Sequence, residues 1–345
     1  MKPASVIAGA AAAWVLAAGL ASAQPPARLA PSSDLIDVRY GQWTDATRGG
    51  RMVPYKAYAP RGVGPFPVVI HSHGLGGSRE ASAYILHAVA EAGFLVVALQ
   101  HAGSDSALLA GSAGRPPEEA LRENSRGAMT PQAAQARYGD VPFAIDQLAR
   151  DPALKDKADL TRLGMSGHSY GALSTLVAVG QRVLAAPRGA SFAEPGIKAA
   201  IVYSPNKPRG DDPVAAFAAI RTPMLHFTGT QDTTPFDQER TPFERTAPYQ
   251  AITGADQFLI IFEGGDHALF GGRRTVTGQL KPTDPPQMEA VKAETIRFWR
   301  AYLAGDRRAA EELCALPARL KSQGEAFVKA PRCGPPTPIK PLPAG

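Results

Sequence analysis

Residues 160–171 read Leu160-Thr161-Arg162-Leu163-Gly164-Met165-Ser166-Gly167-His168-Ser169-Tyr170-Gly171. The stretch from Leu160 to Met165 has the apolar content of a buried strand. Ser169 to Gly180 then continues as a helical run. Between them lies Gly-x-Ser-x-Gly, with glycines at 167 and 171. A strand that turns this sharply into a helix brings backbone and side chains together, so small residues are needed on either side of the serine. Such a turn lifts the serine Oγ out of the end of the sheet. Ser169 is therefore the candidate nucleophile, and because a hydroxyl is weak at neutral pH it needs a neighbouring base.

The same strand–helix alternation extends in both directions. Upstream, Leu35 to Tyr40 and Met52 to Tyr58 predict an early antiparallel pair, Val68 to Ile70 a short buried strand, Glu80 to Ala92 a helix and Phe94 to Leu99 a strand covered on both faces. Gly103 to Tyr138 is polar, carries Gly, Ser and Pro, and shows no strong periodicity. It reads as a long loop that forms a lid or one wall of a pocket. Asp140 to Arg150 is an amphipathic helix. Downstream, Ala199 to Tyr203, Met224 to Thr228 and Phe258 to Phe262 are further strands, and Pro286 to Leu303 is a long helix. Strands alternating with helices predict an α/β fold, a mostly parallel central sheet with helices on both faces.

The partners of Ser169 follow from strand ends. Met224 to Thr228 leads into Gly229-Thr230-Gln231-Asp232, and Phe258 to Phe262 into Glu263-Gly264-Gly265-Asp266-His267. The order Ser169, Asp232, His267 is that of an acyl-transfer triad on such a sheet, His267 as base and Asp232 as the acid that orients it. Asp266 and Glu263 are the weaker acid candidates. His71-Ser72-His73-Gly74-Leu75-Gly76-Gly77 follows the Val68 to Ile70 strand, and a His-Gly loop there supplies one amide of an oxyanion hole. The expected donors are the N–H groups of Leu75 and Tyr170. His71 and His73 lack a carboxylate or cysteine companion at ligand spacing, so no metal is expected. His168 and Phe270 flank the triad and are candidates for lining the substrate pocket. The segment from Thr233 to Gln257, with Phe236 and Phe243, is a second candidate wall.

The blocks VVIHSHGLGGSR (Val68 to Arg79), FLVVALQHAGSD, RYGDVPFAIDQL (Arg137 to Leu148), RLGMSGHSYGA and AIVYSP resemble the bacterial dienelactone-hydrolase-like and platelet-activating-factor acetylhydrolase-like families of the α/β-hydrolase superfamily. The likeness spans about residues 50 to 270. It implies cofactor-free hydrolysis of carboxylic esters, often of short acyl groups. It also implies Ser169, Asp232 and His267 as the triad and Leu75 and Tyr170 as oxyanion donors. Dienelactone hydrolases proper use a cysteine nucleophile, so Ser169 favours the esterase or acetylhydrolase branch.

The ends of the chain read differently. Lys2, the apolar run Val6 to Leu20 and Ala21-Ser22-Ala23 have the order of a signal peptide (1–23), with cleavage after Ala23. The run is short for a membrane span. Residues 24–33 form a Pro/Ala/Ser-rich linker, 34–304 the α/β-hydrolase domain, and 305–345 a tail that is helix-prone to about Ala330 and then Pro-rich. A periplasmic or secreted chain with two cysteines, Cys314 and Cys333, is expected to pair them. The net charge of +6 is dispersed, which argues against nucleic acid as a partner. The expected partner is a small-molecule or lipid-like ester. The alternatives are a lipase, phospholipid or polyester hydrolase, an amidase or peptidase, and a non-catalytic binding protein on a hydrolase scaffold.

Overall fold

The computed structural model describes residues 34–110, 117–183, 191–208, 212–234 and 241–336, with Gly210 and Ile339. The predicted leader and linker, residues 111–116 of the polar segment and Phe236 lie outside the described residues. The strands are β1 Ile36–Asp45, β2 Arg51–Pro60, β3 Phe66–Ser72, β4 Leu95–Leu99, β5 Ala158–His168, β6 Ile197–Tyr203, β7 Met224–Gln231, β8 Gln257–Asp266 and β9 Gly324–Lys329. The helices are α1 Ala83–Glu91, α2 Pro117–Ala128, α3 Pro131–Tyr138, α4 Asp140–Leu148, α5 Tyr170–Ala178, α6 Pro213–Phe217, α7 Ala247–Ala251, α8 His267–Gly271, α9 Arg273–Thr277, α10 Asp284–Leu303, α11 Arg307–Cys314 and α12 Leu316–Leu320.

The strands form one sheet in the order β1-β2-β4-β3-β5-β6-β7-β8-β9. From β4 to β8 all neighbours are parallel. β1 and β2 at one edge and β9 at the other pair antiparallel. The predicted mostly parallel sheet is thus present.

Period-2 alternation explains the unbroken apolar runs. In β4, Leu95, Val97 and Leu99 join the layer that holds α4, α5 and α6, whereas Val96 and Ala98 join the layer that holds α1 and α10. Both faces are covered, so no position can be polar without cost. Trp299 and Phe298 of α10 and Leu176 of α5 are buried plugs in the two layers.

Two segments depart from the sequence reading. The polar stretch Gly103 to Tyr138 is not a loop, because it carries α2 and α3. Thr130 caps α3 by accepting a hydrogen bond from the Ala133 amide, and Pro131 opens the helix. Ser, Thr and Pro here are cap chemistry rather than loop chemistry. The second departure is the tail. Its residues 324–329 are a strand, not helix, and extend the sheet past the predicted domain end at 304. Within β9, Ala326 and Val328 pack into the α10 layer, while Phe327 packs with Leu259, Ile261 and Tyr249 on the other side.

Cys314 at the end of α11 and Cys333 just after β9 form a disulfide. The bond closes a short loop around the edge strand. Replacing both cysteines by serine is expected to cost about 3 kcal/mol, the loop-closure contribution for a ring of this size. Urea unfolding of the oxidised protein and the double variant checks it.

Candidate active site

The C-terminal ends of β3, β5, β7 and β8 lie at the same end of the sheet, where ligands bind in open parallel sheets. Ser169 stands between β5 and α5 with φ 56° and ψ −113°. That is a strained conformation for a residue with a side chain, and it is held from both sides. The Ser169 amide donates to the Tyr203 carbonyl at the end of β6 (2.9 Å), and its carbonyl accepts from the Leu173 amide (3.1 Å). The flanking glycines are demanded by contact. A Cβ on Gly167 would stand 2.2 Å from the Gly171 carbonyl oxygen, and one on Gly171 would stand 1.9 Å from that of Ser72. Neither gap admits a methyl group, so the turn exists only with glycine at both places.

The loop after β3 lies against the serine. A Cβ placed on Gly74 would be 3.3 Å from the Ser169 Cβ. Leu75 is next in this loop. Tyr170 is the first residue of α5, where helix amides have no partner within the helix. Gly76 donates to the Ser104 carbonyl (2.9 Å), tying the loop to the segment after β4.

Asp232 follows β7 and is 1% exposed. His267 opens α8, and its Nδ1 donates to Asp232 Oδ1 at 2.8 Å. Thr228 Oγ1 donates to Oδ2 at 2.8 Å. Arg245 Nε lies 2.9 Å from Oδ1 and donates to the main-chain carbonyl of Asp232 at 2.6 Å. Burial works to raise the Asp232 pKa, but Arg245 and the His267 hydrogen bond outweigh it and bring it down to about 2. The carboxylate is therefore ionised at any working pH.

Arg245 is the residue that the sequence reading missed. It is 4% exposed, and its guanidinium also donates to the Ser204 carbonyl (3.1 Å) and to Asn206 Oδ1 (2.8 Å). It lies in a short 3-10 turn, Pro242–Thr246, whose sequence carries no signal of a role. Arg245→Met leaves a buried carboxylate short of its cation and is expected to cost about 3–5 kcal/mol, measured as a fall in unfolding free energy in urea.

The other candidates fall in different places. Asp266 caps α8 through the Ala268 and Leu269 amides and pairs with Arg274 and Lys281. Glu263 is exposed and accepts from Thr230 at 3.3 Å. His168 is buried beside His267. Its Nε2 donates to the His267 carbonyl (3.0 Å), and the two rings lie 4.6 Å apart. Burial, reinforced by His267, holds its pKa far below the usual histidine range, so it stays neutral. Phe270 was expected near the substrate but is fully buried. It packs on Tyr203, Phe227 and Phe262, because its position on α8 faces the sheet rather than the crevice. Phe243 is half-buried.

Three further histidines are buried at the ends of β3 and β4. His71 shares a hydrogen bond with Ser166 Oγ (2.9 Å). His73 Nδ1 donates to the Gly74 carbonyl (2.6 Å), and its Nε2 accepts from the His101 amide (3.1 Å). His101 Nδ1 donates to Asp140 Oδ2 (3.0 Å), and its Nε2 accepts from Ser72 Oγ (3.0 Å). Asp140, fully buried, is held by Arg48 and Arg51. These histidines are spent on hydrogen bonds that fix the strand ends.

Among the described residues no helix is long and apolar enough to cross a membrane. No curated protein gives a significant match to the chain. Residues 48–128 match the family model of platelet-activating factor acetylhydrolase, isoform II. The match runs from the start of β2 through the His73 to Gly77 loop to the end of α2, and stops before Ser169. With its nine-stranded, mostly parallel sheet, the chain is an α/β hydrolase of the esterase and lipase type, similar over residues 48–128 to the platelet-activating factor acetylhydrolase, isoform II, family.

Proposed function

We propose that the protein hydrolyses carboxylic esters of short to medium acyl length through an acyl-enzyme on Ser169, with His267 as base and Asp232 as its orienting acid. The observation that carries this reading is the 2.8 Å bond from His267 Nδ1 to a buried, ionised Asp232. A proton donated from Nδ1 leaves Nε2 as the basic nitrogen. Ser169 sits on the strained turn that presents a hydroxyl at the same end of the sheet.

In the first step Ser169 Oγ attacks the ester carbonyl, and its proton passes to His267 Nε2. The C=O electron pair moves onto oxygen, where the Leu75 and Tyr170 amides stabilise it. The carbonyl re-forms, the C–O bond to the alcohol breaks, and His267 protonates the leaving alkoxide. Water then attacks the acyl-serine, again giving a proton to His267, and the acid departs as Ser169 recovers its hydrogen. Asp232 stabilises the imidazolium in each tetrahedral stage without taking its proton.

Export to the periplasm or beyond is part of the proposal. It is supported by the signal-like sequence of residues 1–23 and by a disulfide of the kind that persists in oxidising compartments. The test of function is turnover of p-nitrophenyl esters from acetate to palmitate. A maximum at short to medium chains is the expected result. A rise toward the longest chains with activation at a lipid interface would replace it by a lipase. No turnover of any ester by folded protein would overturn it.

A further inference from the structure

Arg137, in the last turn of α3, is a buried cation whose bonds run to two hydroxyls and a carbonyl rather than to a carboxylate. It is 1% exposed. Its Nε donates to Ser174 Oγ (2.9 Å), one terminal nitrogen to Ser104 Oγ (2.8 Å) and the other to the His73 carbonyl. Its guanidinium carbon stands 4.5 Å from the centre of the Tyr170 ring. Burial pushes its pKa down to about 10, which leaves it charged at neutral pH. Burying a charge this way is costly unless something specific is gained.

The contacts show what is gained. The His73 carbonyl lies two residues before Leu75. Ser104 belongs to the segment whose carbonyl receives the Gly76 amide, on the far side of Leu75. Ser174 Oγ donates to the Tyr170 carbonyl (3.1 Å), so it is one turn along the helix that Tyr170 begins. The Tyr170 hydroxyl in turn donates to the Ala128 carbonyl at the end of α2 (3.2 Å). One planar guanidinium therefore reaches the loop bearing Leu75, the strut behind that loop, and the helix turn bearing Tyr170. No single backbone hydrogen bond spans all three.

We propose that Arg137 is a positioning residue that sets the Leu75 and Tyr170 amides at the separation a tetrahedral oxyanion requires. The inference rests on the reading of these two amides as oxyanion donors. Arginine suits the task because its five donors are fixed in one plane, whereas a lysine ammonium on a flexible stem cannot hold three directions at once. A slackened pair of donors binds the ground-state carbonyl nearly as well but the oxyanion less well. The loss then falls on kcat and not on KM.

The experiment compares wild type, Arg137→Lys and Arg137→Met. Three readouts are taken: p-nitrophenyl butyrate kinetics, inhibition by phenylboronic acid, which forms a tetrahedral adduct on a serine nucleophile, and labelling by a fluorophosphonate. Both variants are expected to lose about 10–100-fold in kcat, less than the full loss of one donor, with KM within about twofold. The boronic acid inhibition constant should rise in step with the fall in kcat. Arg137→Lys keeps charge and bulk, so it decides the matter should Arg137→Met not fold. Wild-type kcat and boronate affinity in folded Arg137→Lys would overturn the inference, as would a loss confined to KM. A wild type that neither turns over ester nor takes the label would instead overturn the proposed function itself.

Discussion

Ser169→Ala is expected to lower kcat for any ester by about 10⁴–10⁶-fold while leaving the fold intact. The substitution removes one oxygen from a residue whose Cβ already occupies the strained position, so the turn carries no new steric demand. What disappears is the atom that forms the acyl bond. The residual rate should stem from substrate held at the Leu75 and Tyr170 amides with water as a poor nucleophile. Steady-state turnover, the pre-steady-state burst of p-nitrophenol and fluorophosphonate labelling should all fall together. Retention of about a tenth of wild-type kcat, with the protein folded by circular dichroism, would show that another group attacks the ester, since losses at a true nucleophile are far larger.

Asp232→Asn is expected to cost about 10²–10⁴-fold in kcat, the rate equivalent of the roughly 3–5 kcal/mol at stake when a buried charge loses its counter-charge, and the local geometry points to charge as the reason. His267 Nδ1 and Arg245 Nε both face Oδ1 of Asp232, and the Thr228 hydroxyl faces Oδ2. An amide in this place keeps its oxygen toward the two N–H donors. Its NH₂ then faces Thr228, whose hydroxyl can turn to accept. The His267 tautomer therefore survives. The negative charge that balances the imidazolium does not. Steady-state kcat of Asp232→Asn, folded by circular dichroism, checks it: a loss under about 10-fold would mean that this charge does little for the imidazolium.

The sheet was legible because burial on both faces writes itself as an apolar run. FLVVAL and Phe258 to Phe262 each mark a strand found in the core, and Leu160 to Met165 marks one that enters the core at Leu163. Asp232 and His267 were legible for a related reason: each follows such a run by a few residues, so local order already puts them at strand ends. The segment from Gly103 to Tyr138 was less transparent. Its caps and its loops use the same small and polar residues, α3 has almost no apolar face, and the buried face of α2 is made of small residues such as Ala120, Ser125 and Ala128 that read as loop. The strand β9 was hidden by its helix-prone flanks. Six residues between helices become a strand because an edge of β8 is open to receive them.

Periodicity and the space within turns set the order of elements and the candidate chemistry. Glycines at 167 and 171, a serine between them, and an aspartate and a histidine after later strands are all local statements, set by periodicity and by the space a turn allows. The tertiary structure alone decided which of these groups share a bond. It joined His267 to Asp232 rather than to Asp266, turned Phe270 into the core, and brought Arg245 and Arg137 from distant turns to the two sides of the site. Those pairings join residues 13 to 64 positions apart for the arginines and 35 for the histidine. Hydrogen bonds at such separations depend on how layers pack, and no local pattern of residues encodes that.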